Sequence, residues 1–166
     1  MAGAVGVNHV SIVAHDLEES MRFYVDVLGL EPVPTPTFAF PVRWLKAGDL
    51  QVHLFAREDT PPTYAHFAFT VDDIVAVYER ARELGILDRT SFGYAIAELP
   101  GGEAQLYIRD PSGNLLELDH PDGAAARERI EEMILISERV PQPDGPVPRL
   151  FLGPPSRIRQ EPNPAA

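Results

Sequence analysis

His9, His53, His66 and Glu117 stand at matching places in two halves of this chain, each inside a strand-like run of apolar residues. Neutral imidazoles and a carboxylate that converge make a nitrogen and oxygen donor set for a divalent ion such as Zn, Ni, Co, Mn or Fe. An open coordination position would then admit water or a substrate oxygen. The ion would also offset the cost of burying the Glu117 charge. A single strand histidine is more often a core or rim residue than a ligand; four such residues at symmetry-matched places favour a metal. The chain has no cysteine, which excludes disulfides, thiolate zinc sites and a cysteine nucleophile.

The elements that must position these residues repeat. In the first half, alternation and β-branched residues over Val5 to Val13 predict a strand. A helix follows, with Asp16 as N-cap, Glu19 three residues on, an apolar stripe of Leu17, Met21, Tyr24 and Leu28, and Gly29 as its stop. The proline-broken stretch Glu31 to Thr37 can hold only an edge strand or loop. Phe40 to Ala47 and Leu50 to Ala56, joined by Gly48-Asp49, read as a hairpin. The second half has a strand over Ala65 to Val71, Asp73 as cap, a helix over Ile74 to Leu84 and Gly85 as stop. Further strands are expected over Leu87 to Phe92 or Tyr94 to Leu99, then Glu103 to Arg109 and Leu115 to Asp119. His9 corresponds to His66, Asp16 to Asp73, and Leu28-Gly29-Leu30 to Leu84-Gly85-Ile86. The expected fold is α+β: two β-α-β-β-β modules, about 5–60 and 63–121, forming a cupped, barrel-like mixed sheet within a domain over 1–122.

Alternation along each strand places every candidate ligand opposite the greasier face that should lie under the helices. His9 shares its face with Ser11 and Val13, His53 with Gln51 and Phe55, His66 with Ala68 and Thr70, and Glu117 with Leu115 and Asp119. Trp44, Phe55, Phe92, Tyr94 and Tyr107 would line an apolar pocket or belong to ordinary core. His15 and His120 read as surface turn and strand-end residues, and Asp119 as a strand-end residue facing solvent.

A formal net charge of -11, with Lys46 the only lysine, argues against nucleic acid or an anionic membrane as partner. The apolar start, Ala2 to Ala14, lacks a basic head and is too short to span a bilayer, so a cytoplasmic protein is expected. Beyond Asp122 the spacing of Ile130, Met133 and Ile134 predicts a C-terminal helix within 123–140, followed by a proline-rich tail over 141–166. Leu150-Phe151-Leu152 would dock that tail on its own domain or on a neighbouring subunit; the alternative is a disordered tail with an incidental apolar triplet.

From about Val7 to Pro121 the chain resembles the vicinal oxygen chelate superfamily, which includes glyoxalase I, methylmalonyl-CoA epimerase, extradiol dioxygenases, fosfomycin-resistance transferases and bleomycin-binding proteins. The motifs are Asn8-His9-Val10-Ser11-Ile12, Phe23-Tyr24 through Leu28-Gly29-Leu30, His66-Phe67-Ala68-Phe69 with Asp72-Asp73, and Asp110-Pro111-Ser112-Gly113-Asn114-Leu115-Leu116-Glu117. The resemblance implies metal ligands at His9, His66 and Glu117, with His53 at the fourth-strand place and Gln51 as a second candidate there. It further implies a small-molecule substrate and a homodimer, in which two modules close one cup within a chain or are exchanged between chains.

The departures from family patterns sort the activities. The carboxylate base that glyoxalase I carries on the fourth strand is absent, although Glu117 can serve as ligand or base. Tyr107 through Glu117 resembles the end of the extradiol dioxygenase signature, but Leu99, Pro100 and Gly101 stand where that group has its acid/base histidine. A phosphonate pocket would have only Arg43, Lys46, Arg57 and Arg109 near the candidate strands. The leading expectation is a metal-dependent isomerase or lyase that binds two neighbouring substrate oxygens and stabilises an enolate or alkoxide, with Glu117 as its catalytic residue. The alternatives are an Fe(II) or Mn(II) dioxygenase built on His9, His66 and Glu117, and a non-enzymatic binder of a cationic drug, against which the intact ligand set counts.

Overall fold

The computed structural model of the chain describes residues 3, 4 and 6–152. Its order is β1 (His9–Ala14), α1 (Leu17–Asp26), β2 (Glu31–Val33), β3 (Val42–Ala47), β4 (Leu50–Ala56), β5 (His66–Thr70), α2 (Ile74–Leu84), β6 (Ile96–Glu98), β7 (Ala104–Arg109), β8 (Leu115–His120), α3 (Gly123–Arg127), β9 (Ile134–Leu135) and α4 (Ile136–Arg139). The strands form two mixed sheets, ordered β1-β4-β3-β2 and β5-β8-β7-β6-β9, and the fold is α+β. The two β-α-β-β-β runs are those expected from the repeat.

Local chemistry explains the elements. Asp16 and Asp73 each accept from the backbone N–H three residues on, at 2.9 Å, and so start α1 and α2. Gly85 closes α2 in the left-handed region, where a side chain would be strained. In α1 the buried residues are Ser20, Phe23 and Tyr24, whereas Leu17 and Met21 are only half-buried, as is Leu28 in the turn beyond the Val27 cap. The parallel pairing of β1 with β4 runs His9 to Gln51 through Ala14 to Ala56, and Gly48 lets the β3–β4 hairpin turn with φ of 59°. Pro32 sits in β2 at the sheet edge, where its missing N–H breaks no ladder.

The chain forms two compact units. The first comprises the described residues up to Phe67 together with Arg109–Leu116, and the second those of 68–108 and from Glu117 onward. The β7–β8 turn, remote in sequence, thus belongs with the first unit. Its anchor is Asp110, which accepts from the Tyr24 hydroxyl at 2.8 Å, the backbone N–H groups of Ser112 and Asn114 at 3.0 and 2.8 Å, and the Asn114 amide at 2.7 Å. Asn114 also donates to the Val13 carbonyl at 2.8 Å, and the Ser112 hydroxyl accepts from His15 N–H at 2.9 Å. In the second unit α2 buries Ile74, Val75, Tyr78 and Ala81, while Ile96, Leu106, Ile108 and Leu118 are fully buried in the strands.

The C-terminal region departs from expectation. Instead of one helix over 123–140, a short α3 is followed by β9, which pairs in parallel with β6 through Ala97 to Ile134 and Glu98 to Leu135, and then by one turn, α4. Ile134 and Leu135 satisfy the backbone groups on the edge of β6, and that gain overrides their helical spacing. Glu132 fastens the crossing, accepting from Tyr78 at 2.6 Å and from Arg89 at 2.6 and 2.8 Å. Of the two expectations for 87–99, the later stretch holds the strand; Leu87 makes only an isolated bridge to Ile108.

Asp110→Ala would leave several buried donors unpaired and should cost about 3–5 kcal/mol, whereas Tyr24→Phe removes one bond and should cost about 1–2 kcal/mol. Urea unfolding of the two variants checks this; losses under about 0.5 kcal/mol in both would show that the anchor does not hold the turn.

Candidate functional site

On the first sheet, Ser11 and Trp44 are the register partners of His53, and Gln51 is the partner of His9. Strand alternation therefore puts His9, Gln51, His53 and Trp44 on one face, opposite buried Val52, Leu54 and Leu45. The rings stack. His53 lies between His9, 4.3 Å away between centroids, and Trp44, 4.2 Å away and only 7° from parallel. The row continues from Trp44 through Phe38 and Phe40 to Phe55. Phe38 and Phe40 remain 43% and 49% exposed, so this face is open and π-rich.

Each of the three imidazoles has one ring nitrogen paired with an oxygen. His53 is buried, and burial together with nearby His9 lowers its pKa. Its Nε2 donates to the Gln51 side-chain oxygen at 2.9 Å, which leaves the lone pair on Nδ1. His66, exposed at the start of β5, donates through Nδ1 to the Tyr64 carbonyl at 2.7 Å, so Nε2 carries its lone pair. His9 repeats the arrangement through Nδ1 and the Asn8 side-chain oxygen. An oxygen partner on one ring nitrogen selects the tautomer whose other nitrogen can bind a metal.

Glu117 is buried in β8 of the second unit, and its surroundings are acidic and phenolic. Tyr107 of β7 hydrogen-bonds it; burial first, then that bond and the Glu117 charge, push the phenol above the ordinary tyrosine range. Tyr94 is raised by burial and by Glu117. Asp119 is pushed up to about 8, first by burial, then by the charge of Glu117 and its bond to it, and last by Glu103. Burial and the adjacent Glu117 carboxylate thus favour the protonated form of Asp119 and its hydrogen bond to Glu117. This corrects the expectation of a solvent-facing Asp119, which is 3% exposed. Phe92 flanks Tyr107 at 4.5 Å and completes an aromatic edge.

The structure brings His9 and His53 together on the first sheet, and on the second it sets Asp119, Tyr107 and Tyr94 around Glu117, with Glu103 beside Asp119. Among the described residues no three His, Asp or Glu side chains converge into a metal-holding cluster. Sequence reasoning places Tyr94 and Tyr107 as pocket or core aromatics and Asp119 at a strand end, and it passes over Glu103, although Glu103, Gln105 and Tyr107 alternate on one face and that parity is readable. The basic residues near the first sheet are engaged: Arg43 with Glu18 at 3.5 Å, Lys46 with Glu31 at 3.8 Å, Arg57 with Asp59 at 2.6 Å, and Arg109 with the carbonyls of Gly113 and Thr63. His15 is exposed and meets the Asp59 carbonyl, and half-buried His120 accepts from Asp122 N–H, as surface residues do.

Comparison with known proteins follows this geometry. Residues 6–118 match the family model described as the Glyoxalase/Bleomycin resistance protein/Dioxygenase superfamily. Glyoxylase I 4 of Arabidopsis thaliana is 29% identical over 145 residues, covering 81% of each chain. Glutathione transferase FosA of Serratia marcescens is 33% identical over 134 residues, covering 73% of this chain and 84% of the relative. The crystal structure of lactoylglutathione lyase from Agrobacterium tumefaciens superposes with a TM-score of 0.54 at 26% identity, over 71% of this chain and 95% of that one.

The proton on Asp119 predicts a pH dependence. A pKa raised from 3.8 unfolded to about 8 folded contributes stability that is full below about pH 4 and is lost as pH rises through about 8. Asp119→Asn, which keeps a donor toward Glu117, should remove this loss. Urea midpoints at pH 5 and pH 8 should fall less in the variant than in the parent chain; equal falls would place the proton elsewhere.

Proposed function

The chain belongs to the glyoxalase/bleomycin resistance protein/dioxygenase superfamily, and on that premise we propose that it is a divalent-metal-dependent enzyme acting on a small oxygenated organic substrate, of the isomerase or lyase type. The proposed ligands are His9, His66 and Glu117, with His53 or Gln51 from β4 as the fourth. The observation that carries this reading is the matched state of His9 and His66, each with Nδ1 committed to an oxygen and Nε2 holding the lone pair. A nitrogen and carboxylate set of this kind fits Zn, Ni, Co, Mn or Fe.

When bound, a divalent ion would polarise neighbouring substrate oxygens and stabilise negative charge developing on them. The protein's own residues do the rest. Tyr107 and Asp119 orient Glu117 by hydrogen bonds, as partners of a ligating carboxylate do. The proton bridging Asp119 and Glu117 is held where it can be exchanged with a substrate oxygen or carbon. The row from His53 through Trp44 to Phe38 and Phe40 offers an apolar wall against which an organic group can exclude water. A homodimer in the cytoplasm is part of the proposal. For membranes the finding is narrower: among the described residues no helix is long and apolar enough to cross one.

A second reading, an Fe(II) or Mn(II) dioxygenase, is favoured by one observation: the tyrosine that opens the dioxygenase-like stretch, Tyr107, bonds the glutamate that ends it. Oxygen uptake by iron-loaded protein with a panel of catechols separates the two readings, because isomerase or lyase turnover consumes none.

Metal content per chain, by plasma mass spectrometry, should be near-stoichiometric after reconstitution and should be lost in His66→Ala and in Glu117→Ala. Tyr107→Phe should keep the metal but bind it about tenfold more weakly. Full metal content in Glu117→Ala would refute the ligand assignment.

A further inference from the structure

Residues 148–152 lie on the face that carries Glu117. Arg149 Nη1 stands 3.7 Å from Glu103 Oε1, and Thr70 Oγ1 donates to the Leu152 carbonyl at 3.3 Å. The Pro148 carbonyl sits so close over Gly101 that a Cβ added there would come within 2.8 Å of it. Thr70 ends β5 and Glu103 immediately precedes β7; β8 lies between those strands. A segment that touches both must cross β8. It crosses near Asp119, whose carbonyl accepts from Val71 N–H at 2.9 Å, one residue past Thr70.

The lengths agree. Three extended residues from Arg149 to Leu152 span about 10 Å, and two strand spacings of about 4.8 Å make nearly the same distance. Alternation puts Thr70 on the His66 side of β5, and Glu103 on the Tyr107 side of β7. Beneath the crossing, Asp119 and Glu103 are 3% and 4% exposed, and Asp119 Oδ1 and Glu103 Oε2 have no hydrogen-bond partner among the described residues. Buried carboxyl oxygens left in that state are costly, and the Arg149 guanidinium stands against the other oxygen of the Glu103 carboxylate, Oε1. Within the apolar triplet, Phe151 is fully exposed while Leu150 and Leu152 are half-buried.

We propose that residues 148–152 form a strap that closes the Glu117-bearing face of the second sheet, and that its opening controls access of a ligand to Glu117. The second clause rests on the reading of Glu117 as a metal ligand. The strap is held by one ion pair and one hydrogen bond to a backbone carbonyl, both partly exposed to solvent. That makes it an element whose opening is easily shifted by a competing ligand.

The test uses the full chain with Thr70→Val and Arg149→Gln combined, and with Arg149→Lys as the conservative control. Carboxyl labelling by a carbodiimide with glycine ethyl ester, mapped by mass spectrometry, reads exposure of Asp119 and Glu117 without any metal. The double variant should label about tenfold faster, equivalent to about 1.4 kcal/mol of lost closure. The lysine variant should stay near the parent rate, because it keeps the charge. Labelling as slow as in the parent overturns the strap. Zn(II) uptake, followed in parallel, should speed up by a similar factor; unchanged uptake in a chain whose labelling has risen overturns the control of access. If no form of the protein takes up metal, the metal reading of Glu117 fails and gating of metal entry fails with it, while labelling still decides whether the strap exists.

Discussion

One buried carboxylate, Asp110, organises the first unit and the turn from which the strand of the candidate glutamate departs. Burial pushes its carboxyl upward while its hydrogen bonds from Asn114, Tyr24 and Ser112 hold it down. Through them it fastens helix α1, the end of β1 and the turn that leads into β8. Glu117 lies seven residues beyond Asp110 along a chain segment with little freedom, since Gly113, at φ 87°, completes the turn. A residue 86 positions away in sequence, Tyr24, thereby helps to place a strand it never enters.

The two modules share an order of elements and differ in what they put on the corresponding face. The first presents stacked rings, with His53 held neutral between His9 and Trp44. The second presents carboxyls and phenols, with a proton retained among them because two adjacent negative charges in a buried place are unfavourable. Sequence symmetry thus supports chemical asymmetry: the first sheet carries His9, His53 and a π surface, the second the Glu117 and Asp119 carboxyls with His66 at the start of β5.

Much of this was legible beforehand because it is local. Asp16 and Asp73 cap helices through bonds that span three residues, Gly48 and Gly85 adopt positive φ where turns need it, and alternation puts His9 and His53 opposite buried Val52 and Leu54. What escaped notice depends on distant partners. The stripe over 123–140 has helical spacing, yet the open edge of β6 recruits Ile134 and Leu135 as a strand. Asp119 looked like a strand-end residue, and its burial is set by what packs around it rather than by its neighbours in sequence. Convergence of ligands is likewise a tertiary property that no strand pattern contains.

Trp44 is the chain's one tryptophan, and it lies flat against His53. An indole in face contact with an imidazole loses its excited state readily when the imidazole gains a proton, because the cation accepts charge from the ring. The first sheet is therefore an optical instrument in its own right. Its emission follows the charge state of His53 with no label attached and no second indole elsewhere to dilute the signal.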